Sequence, residues 1–162
     1  NKNIIDLGAW IGDNSIPWAK NIDGIVYAID PSPNNCSFIN EVASLNNINN
    51  VKTIQSVIAD KEREVSTEYS IDHCPFNLNN VGETKLMSTT LDILYNNKII
   101  ENVGYIHLDV EGFENLVLNG SENLINIYKP VICFEQHLEI DEVEKNCNFL
   151  KNKGYKIGRA HV

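Results

Sequence analysis

Short apolar runs rich in Ile and Val alternate along this chain with segments whose apolar residues recur at helical spacing, and this alternation restricts the fold more than any other feature. Ile4–Leu7 and Ile25–Asp30 have the composition of strands buried on both faces. Between them, Asp13–Ile22 sets Ile16, Ala19 and Ile22 on one helical stripe, with Pro17 tolerable only near a helix start. Asn34–Asn46 repeats the pattern with Cys36, Ile39, Val42 and Ala43, and Val51–Asp60 reads as the next strand. Glu62–Ser70 alternates well enough for an extra strand or hairpin arm, while His73–Thr89 reads as an irregular loop and a candidate lid. Thr90–Asn97 suits a short helix capped by Thr89 or Thr90, followed by a strand over Gly104–Val110. Glu114–Tyr128 reads as a helix and Val131–Glu135 as a strand opening after Pro130. Asp141–Lys153 reads as a helix with Val143, Cys147 and Leu150 inward, and Tyr155–Gly158 as a last strand. Parallel neighbours need crossovers, so strands alternating with helices imply an α/β fold: a mostly parallel twisted sheet with helices on both faces.

The 162 residues fit a single domain, large enough to bury roughly 68–70% of the surface its unfolded chain exposes. The abrupt start and end also suit a piece of a longer protein. A composition of 43% hydrophobic and 22% charged residues is that of a soluble globular chain, and no apolar stretch approaches the roughly 20 residues of a membrane helix. A net charge of −9 with no basic cluster repels phosphate backbones and argues against a nucleic-acid partner. Cys36, Cys74, Cys133 and Cys147 form no CxxC pair and read as buried free thiols of a reducing, cytoplasmic setting. The oligomeric state is not legible.

In a sheet of this kind, ligands bind beyond the carboxyl ends of the strands, where strand order reverses. The stretch "NIIDLGAWIGDNS" places Asp6, Gly8 and Gly12 in the first strand-to-helix turn. Gly8 would let the backbone turn without a Cβ, and Gly12 would let a ligand approach the helix start. The spacing is DxGxxxG and not the GxGxxG that cradles a dinucleotide pyrophosphate. Asp30, followed by Pro31, ends the second strand, where a carboxylate can accept both hydroxyls of a ribose. Together they describe a nucleoside site without a phosphate clamp, and S-adenosylmethionine is such a ligand. Its amino-acid end would use Asp6 and the backbone of the glycine turn.

The segments "IIDLGAWIGDNS", "VYAIDPSP", "TTLDIL", "YIHLDVEGFENLVLNGSENLI" and "KPVICFEQH" follow the order and spacing of the FkbM-type methyltransferases, and nearly the whole chain resembles that family. The resemblance implies a class I, seven-strand Rossmann-like methyltransferase fold. It also implies methyl transfer from S-adenosylmethionine, usually to a hydroxyl and often on a sugar or polyketide. By position it assigns the cofactor turn to Asp6, Gly8, Ala9 and Gly12 and the ribose acid to Asp30, and it sets Ser56 and Val57 near the adenine. Two residues depart from the family pattern. Trp10 stands where Asn is usual, and either packs against the cofactor or covers the core. His107 stands where Lys is frequent, which leaves the catalytic assignment open.

Methyl transfer to a hydroxyl needs an aligned acceptor oxygen and a base to take its proton. His107 and Asp109 lie two apart on a strand and share a side, with Asp109 at the carboxyl end, and Glu135 and His137 end the neighbouring strand. His137 or Asp109 is the expected base, with Glu135 orienting the acceptor. Glu111 is either part of this site or a helix cap, His107 either functional or a satisfied strand histidine. Asp109, Glu135 and His137 are also a set that could hold a divalent metal, an arrangement the residues do not favour over metal-free transfer. The sequence therefore points to an O-methyltransferase acting on a small molecule, a sugar or glycan above all. A methyltransferase fold kept as a non-catalytic binding or assembly module is the alternative, and a nicotinamide-dependent oxidoreductase a weaker one.

Overall fold

The computed structural model describes residues 1–67, 76–77, 84–135 and 140–158. The chain begins with β1 (Asn3–Leu7), α1 (Ser15–Asn21), β2 (Val26–Asp30), α2 (Pro33–Leu45) and β3 (Val51–Gln55). After one residue it resumes as β4 (Val57–Ile58), then β5 (Glu64–Thr67), β6 (Phe76–Asn77) and β7 (Thr84–Thr89). The rest runs α3 (Leu91–Asn96), β8 (Val103–Leu108), α4 (Glu114–Asn119), α5 (Glu122–Tyr128), β9 (Val131–Phe134) and α6 (Ile140–Asn152).

β3, β2, β1, β8 and β9 lie side by side in that order, all parallel. The chain steps outward from β1 through β2 to β3, then returns to the other side of β1 as β8. Strand order thus reverses between β1 and β8, and the loops leaving these two strands open at the same edge. The alternating pleat sorts the side chains. Ile5, Leu7, Tyr27, Ile29, Ile106 and Leu108 enter the larger core together with Leu91 and Leu94 of α3, Val117 and Leu118 of α4, and Leu124 and Ile125 of α5. Ala28 joins Ile16 of α1 and Ile39 and Ala43 of α2 in a smaller cluster. Helices therefore cover both faces, as the alternation predicts.

Several boundaries differ from the sequence reading. Val51–Asp60 is not one strand: β4 leaves the main sheet after Gln55 and pairs with β7, joining a second sheet of order β4, β7, β5, β6. Thr84–Thr89 is a strand antiparallel to β5, not loop. The expected helix over Glu114–Tyr128 is two helices, divided at Gly120 and Ser121. A Cβ at Gly120 would overlap the carbonyl oxygen of Ala59, and the Gly120 carbonyl accepts Asp92 N–H at 3.0 Å. Asp92 then receives Asn123 N–H and Leu124 N–H at 2.9 and 2.8 Å, so α5 is capped by a side chain from α3. Tyr155–Gly158 forms no strand; Tyr155 packs against the main core from the irregular segment after α6. The main sheet has five strands among the described residues, against the seven the family resemblance implies. Most of the proposed lid, His73–Thr89, lies outside the described residues.

No helix among the described residues is long and apolar enough to cross a membrane. Cys36 is buried, whereas Cys133 and Cys147 are only half-buried, and all three are free; Cys74 lies outside the described residues.

Candidate functional site

The edge where β1, β2, β8 and β9 end gathers most of the residues singled out above. Gly8, Trp10 and Gly12 in the first turn, and Glu111 and Gly112 in the turn after β8, all have positive φ. Glycine adopts that conformation freely, but Trp10 at φ 44° and Glu111 at φ 50° do so against steric cost.

The glycines have causes within the protein. A Cβ on Gly8 would overlap the main-chain oxygen of Asp109, so the two loops touch backbone to backbone. A Cβ on Gly12 would lie 3.0 Å from Ile39 Cγ1 and 3.2 Å from Ile16 Cγ1. The room a Cβ would need is taken at Gly8 by the chain leaving β8 and at Gly12 by the packing of α1 against α2. Ala9 is likewise buried, in the same cluster as Ile16 and Ile39.

Asp6 is 1% exposed and faces the α1 side of the sheet. Ser15 Oγ donates to one of its oxygens at 2.5 Å, and His107 Nδ1 lies 2.9 Å from the other. Each oxygen of its carboxylate is thus engaged by a side chain within the fold. The Asp6 hydrogen bond raises the His107 imidazole above its ordinary pKa, partial burial opposes this, and the nearby charges of Asp109 and Asp13 add to the rise. The His107 ring also meets Trp18 of α1 edge-on at 5.5 Å, so the histidine lies beneath a helix with Nδ1 partnered by Asp6.

Asp30 is 4% exposed and accepts three internal bonds. Trp10 N–H reaches Oδ2 at 2.9 Å, while Ser32 N–H and Asn35 Nδ2 reach Oδ1 at 2.8 and 3.0 Å. A carboxylate offers about four acceptor positions, which leaves roughly one for an outside donor, on Oδ2. The expectation that Asp30 accepts both ribose hydroxyls does not fit this bonding. Burial raises its pKa, opposed by the three hydrogen bonds. Pro31 directs its carbonyl to Gln55 Nε2 at 3.3 Å. Ser56 N–H donates to the Asp30 carbonyl at 3.2 Å, and Val57 is buried in the second sheet. Trp10 is 42% exposed, so its indole does not cover the core.

At the ends of β8 and β9 the backbone ladder carries one residue further. Asp109 N–H donates to the Leu7 carbonyl and Glu135 N–H to the Leu108 carbonyl, both at 3.0 Å. This brings two carboxyl groups together, close enough for the Glu135 side chain to act on the Asp109 carboxyl. Burial first, then the Glu135 charge and side-chain hydrogen bonding, then Glu111, push the Asp109 carboxyl up to about 6, with His107 opposing. His137 lies outside the described residues.

Glu114 was not singled out by sequence reasoning. It is 3% exposed, and its Oε1 accepts Gly112 N–H at 3.3 Å while Oε2 has no partner among the described residues. Glu114 ties the turn to α4; its only sequence signal was an acid in a helix's first turn. Among the described residues no three His, Cys, Asp or Glu side chains are grouped to hold a metal ion.

The methyltransferase FkbM domain model matches residues 6–157. The fold is similar to the crystal structure of methyltransferase FkbM from Methylobacillus flagellatus KT, with a TM-score of 0.67 and 19% identity over 93% of this chain and 37% of that one. It is also similar to precorrin-6y C5,15-methyltransferase from Geobacter metallireducens GS-15, with a TM-score of 0.58 and 14% identity over 96% of this chain and 63% of that one. The chain therefore spans little more than a third of the first structure and under two thirds of the second. At these identities the likeness is one of fold. No curated protein matches the chain. By the family model, covering all but its ends, the chain belongs to the methyltransferase FkbM domain family.

Proposed function

We propose that this domain binds S-adenosylmethionine at the edge where β1 and β2 end and methylates a hydroxyl of a small molecule, a sugar or glycan above all, with Asp109 as the base. The carrying observation is the Asp109–Glu135 carboxyl pair, set against the β1–α1 turn through Gly8. The donor set fits a nucleoside: Asp30 retains an acceptor position, and Trp10 is exposed beside it. When bound, the cofactor supplies an electrophilic sulfonium methyl.

Asp109 is held by its N–H on the Leu7 carbonyl, and its main chain lies directly against Gly8, so its carboxyl has a defined position relative to the turn. A carboxyl raised to about 6 is mostly ionised at neutral pH and a better proton acceptor than an ordinary aspartate. Glu135, exposed beside it, orients the acceptor hydroxyl and shares the proton that Asp109 takes. Carboxylates that accept hydrogen bonds suit a polyhydroxylated acceptor and repel an anionic one.

Calorimetric titration with S-adenosylhomocysteine, followed by transfer of labelled methyl to a panel of neutral saccharides, tests the reading. Binding together with saccharide methylation is the expected result. Binding of NAD in place of S-adenosylhomocysteine would overturn it, and cofactor binding without transfer to any acceptor would mark a binding module.

A further inference from the structure

Asp30 and Trp10 divide the work of the nucleoside end in an unexpected way. Resting on the cofactor reading above, we infer that Trp10, not Asp30, makes the main contact with the adenosine, by stacking its indole on the adenine. The Asp30 carboxylate is nearly inaccessible and three of its acceptor positions are filled from within, one of them by Trp10 N–H at 2.9 Å. Its bonds join the β1–α1 turn to the start of α2, a scaffolding task. Trp10 is the opposite case. Its backbone is held at φ 44°, a conformation unfavourable for a bulky residue, and its large apolar side chain is 42% exposed.

Neither packing nor backbone preference explains a tryptophan there. Asn or Gly would fit the left-handed conformation better, and the core does not use the indole. The Asp30–Trp10 hydrogen bond sets the residue beside the carboxylate that ends β2, with its neighbour Ile11 also exposed. An aromatic face at a nucleoside site has one evident use, since base–aromatic stacking is worth roughly five- to more than a hundredfold in affinity.

The test compares Trp10→Asn, Trp10→Phe and the wild type for S-adenosylhomocysteine binding by calorimetry and indole fluorescence. Trp10→Asn keeps a residue suited to positive φ while removing the aromatic face, so the melting temperature should hold or rise. Affinity should fall at least about tenfold in Trp10→Asn, as expected for a lost stacking contact, and stay near wild type in Trp10→Phe. Ligand should quench wild-type emission and leave Trp10→Asn unquenched, since only Trp18, set against His107 and Tyr105, remains there. Wild-type binding with no quenching, or unchanged affinity in Trp10→Asn, overturns this inference alone. Failure of the wild type to bind S-adenosylhomocysteine overturns the cofactor reading as well.

Discussion

His107 on β8 and Asp6 on β1 are direct partners in the parallel ladder, and their side chains meet at 2.9 Å beneath α1. Two polar residues in the middle of buried strands are tolerable only because each satisfies the other, with Ser15 closing the second Asp6 oxygen. His107→Phe should cost roughly 1–3 kcal/mol by leaving a buried carboxylate oxygen unpaired, as read from urea denaturation at pH 6. The His107 pKa is raised in the folded state, so its stabilisation is full below the ordinary 6.5 and is lost as pH rises through the folded value. The difference between wild type and variant should therefore shrink on going to alkaline pH.

Asp109 predicts both a rate profile and a stability profile. With the carboxyl at about 6, kcat/KM should rise with pH up to that value and then level off. Glu135→Gln removes a neighbouring negative charge and should move that limb to lower pH, while Asp109→Asn should cost about a hundredfold or more in rate. A carboxyl raised in the folded state opposes folding once it ionises, so Asp109's contribution to stability falls from its ordinary pKa of 3.8 up to about 6. Thermal melts at pH 8 should accordingly find Asp109→Asn no less stable than wild type, despite its lost activity.

Removing the Asp30 carboxylate tests its scaffolding part. Asp30→Ala leaves Trp10 N–H, Ser32 N–H and the Asn35 amide without their acceptor and should destabilise by roughly 1–3 kcal/mol. Hydrogen exchange should show faster amides at Trp10 and Ser32. Unchanged exchange at both positions would contradict the bonding described.

Gly8 and Gly12 should differ sharply when replaced by alanine. Both carry the left-handed conformation, worth about 1–2 kcal/mol. Gly8→Ala adds an overlap with the Asp109 backbone, which has no rotamer to change, whereas Gly12→Ala meets side-chain carbons of Ile39 and Ile16 that can shift. Gly8→Ala should melt several degrees below Gly12→Ala.

Much of the architecture was legible because it rests on local chemistry. The Ile- and Val-rich runs became β1, β2 and β8, and the helical stripe of Cys36, Ile39 and Ala43 became the buried side of α2. Thr90 caps α3 through Ile93 N–H at 2.9 Å, a bond its position before an apolar turn announces. β7 was missed because TKLMST has no clear alternation of its own; its place between β4 and β5 makes it a strand. The break at Gly120 was missed because its causes, the Ala59 carbonyl and the Asp92 cap, are distant in sequence.

At the site, residue types and strand ends could be read from the sequence alone, since periodicity shows where a strand stops and on which face a side chain falls. The sequence likewise determined family membership, through motifs spanning residues 6–157. Which partner each polar group faces was decided only by tertiary structure. Asp6 and Asp30 both look like ligand-facing acids along the chain, but pairing β1 with β8 gives Asp6 to His107, and the turn after β1 gives Asp30 to Trp10. The glycines look like room for a ligand along the chain, and the chain's return as β8 gives Gly8 a second cause, the main chain of Asp109 against it. Hydrogen bonds and close contacts depend on strand register and crossover, which join residues about a hundred positions apart, and no local pattern encodes that distance.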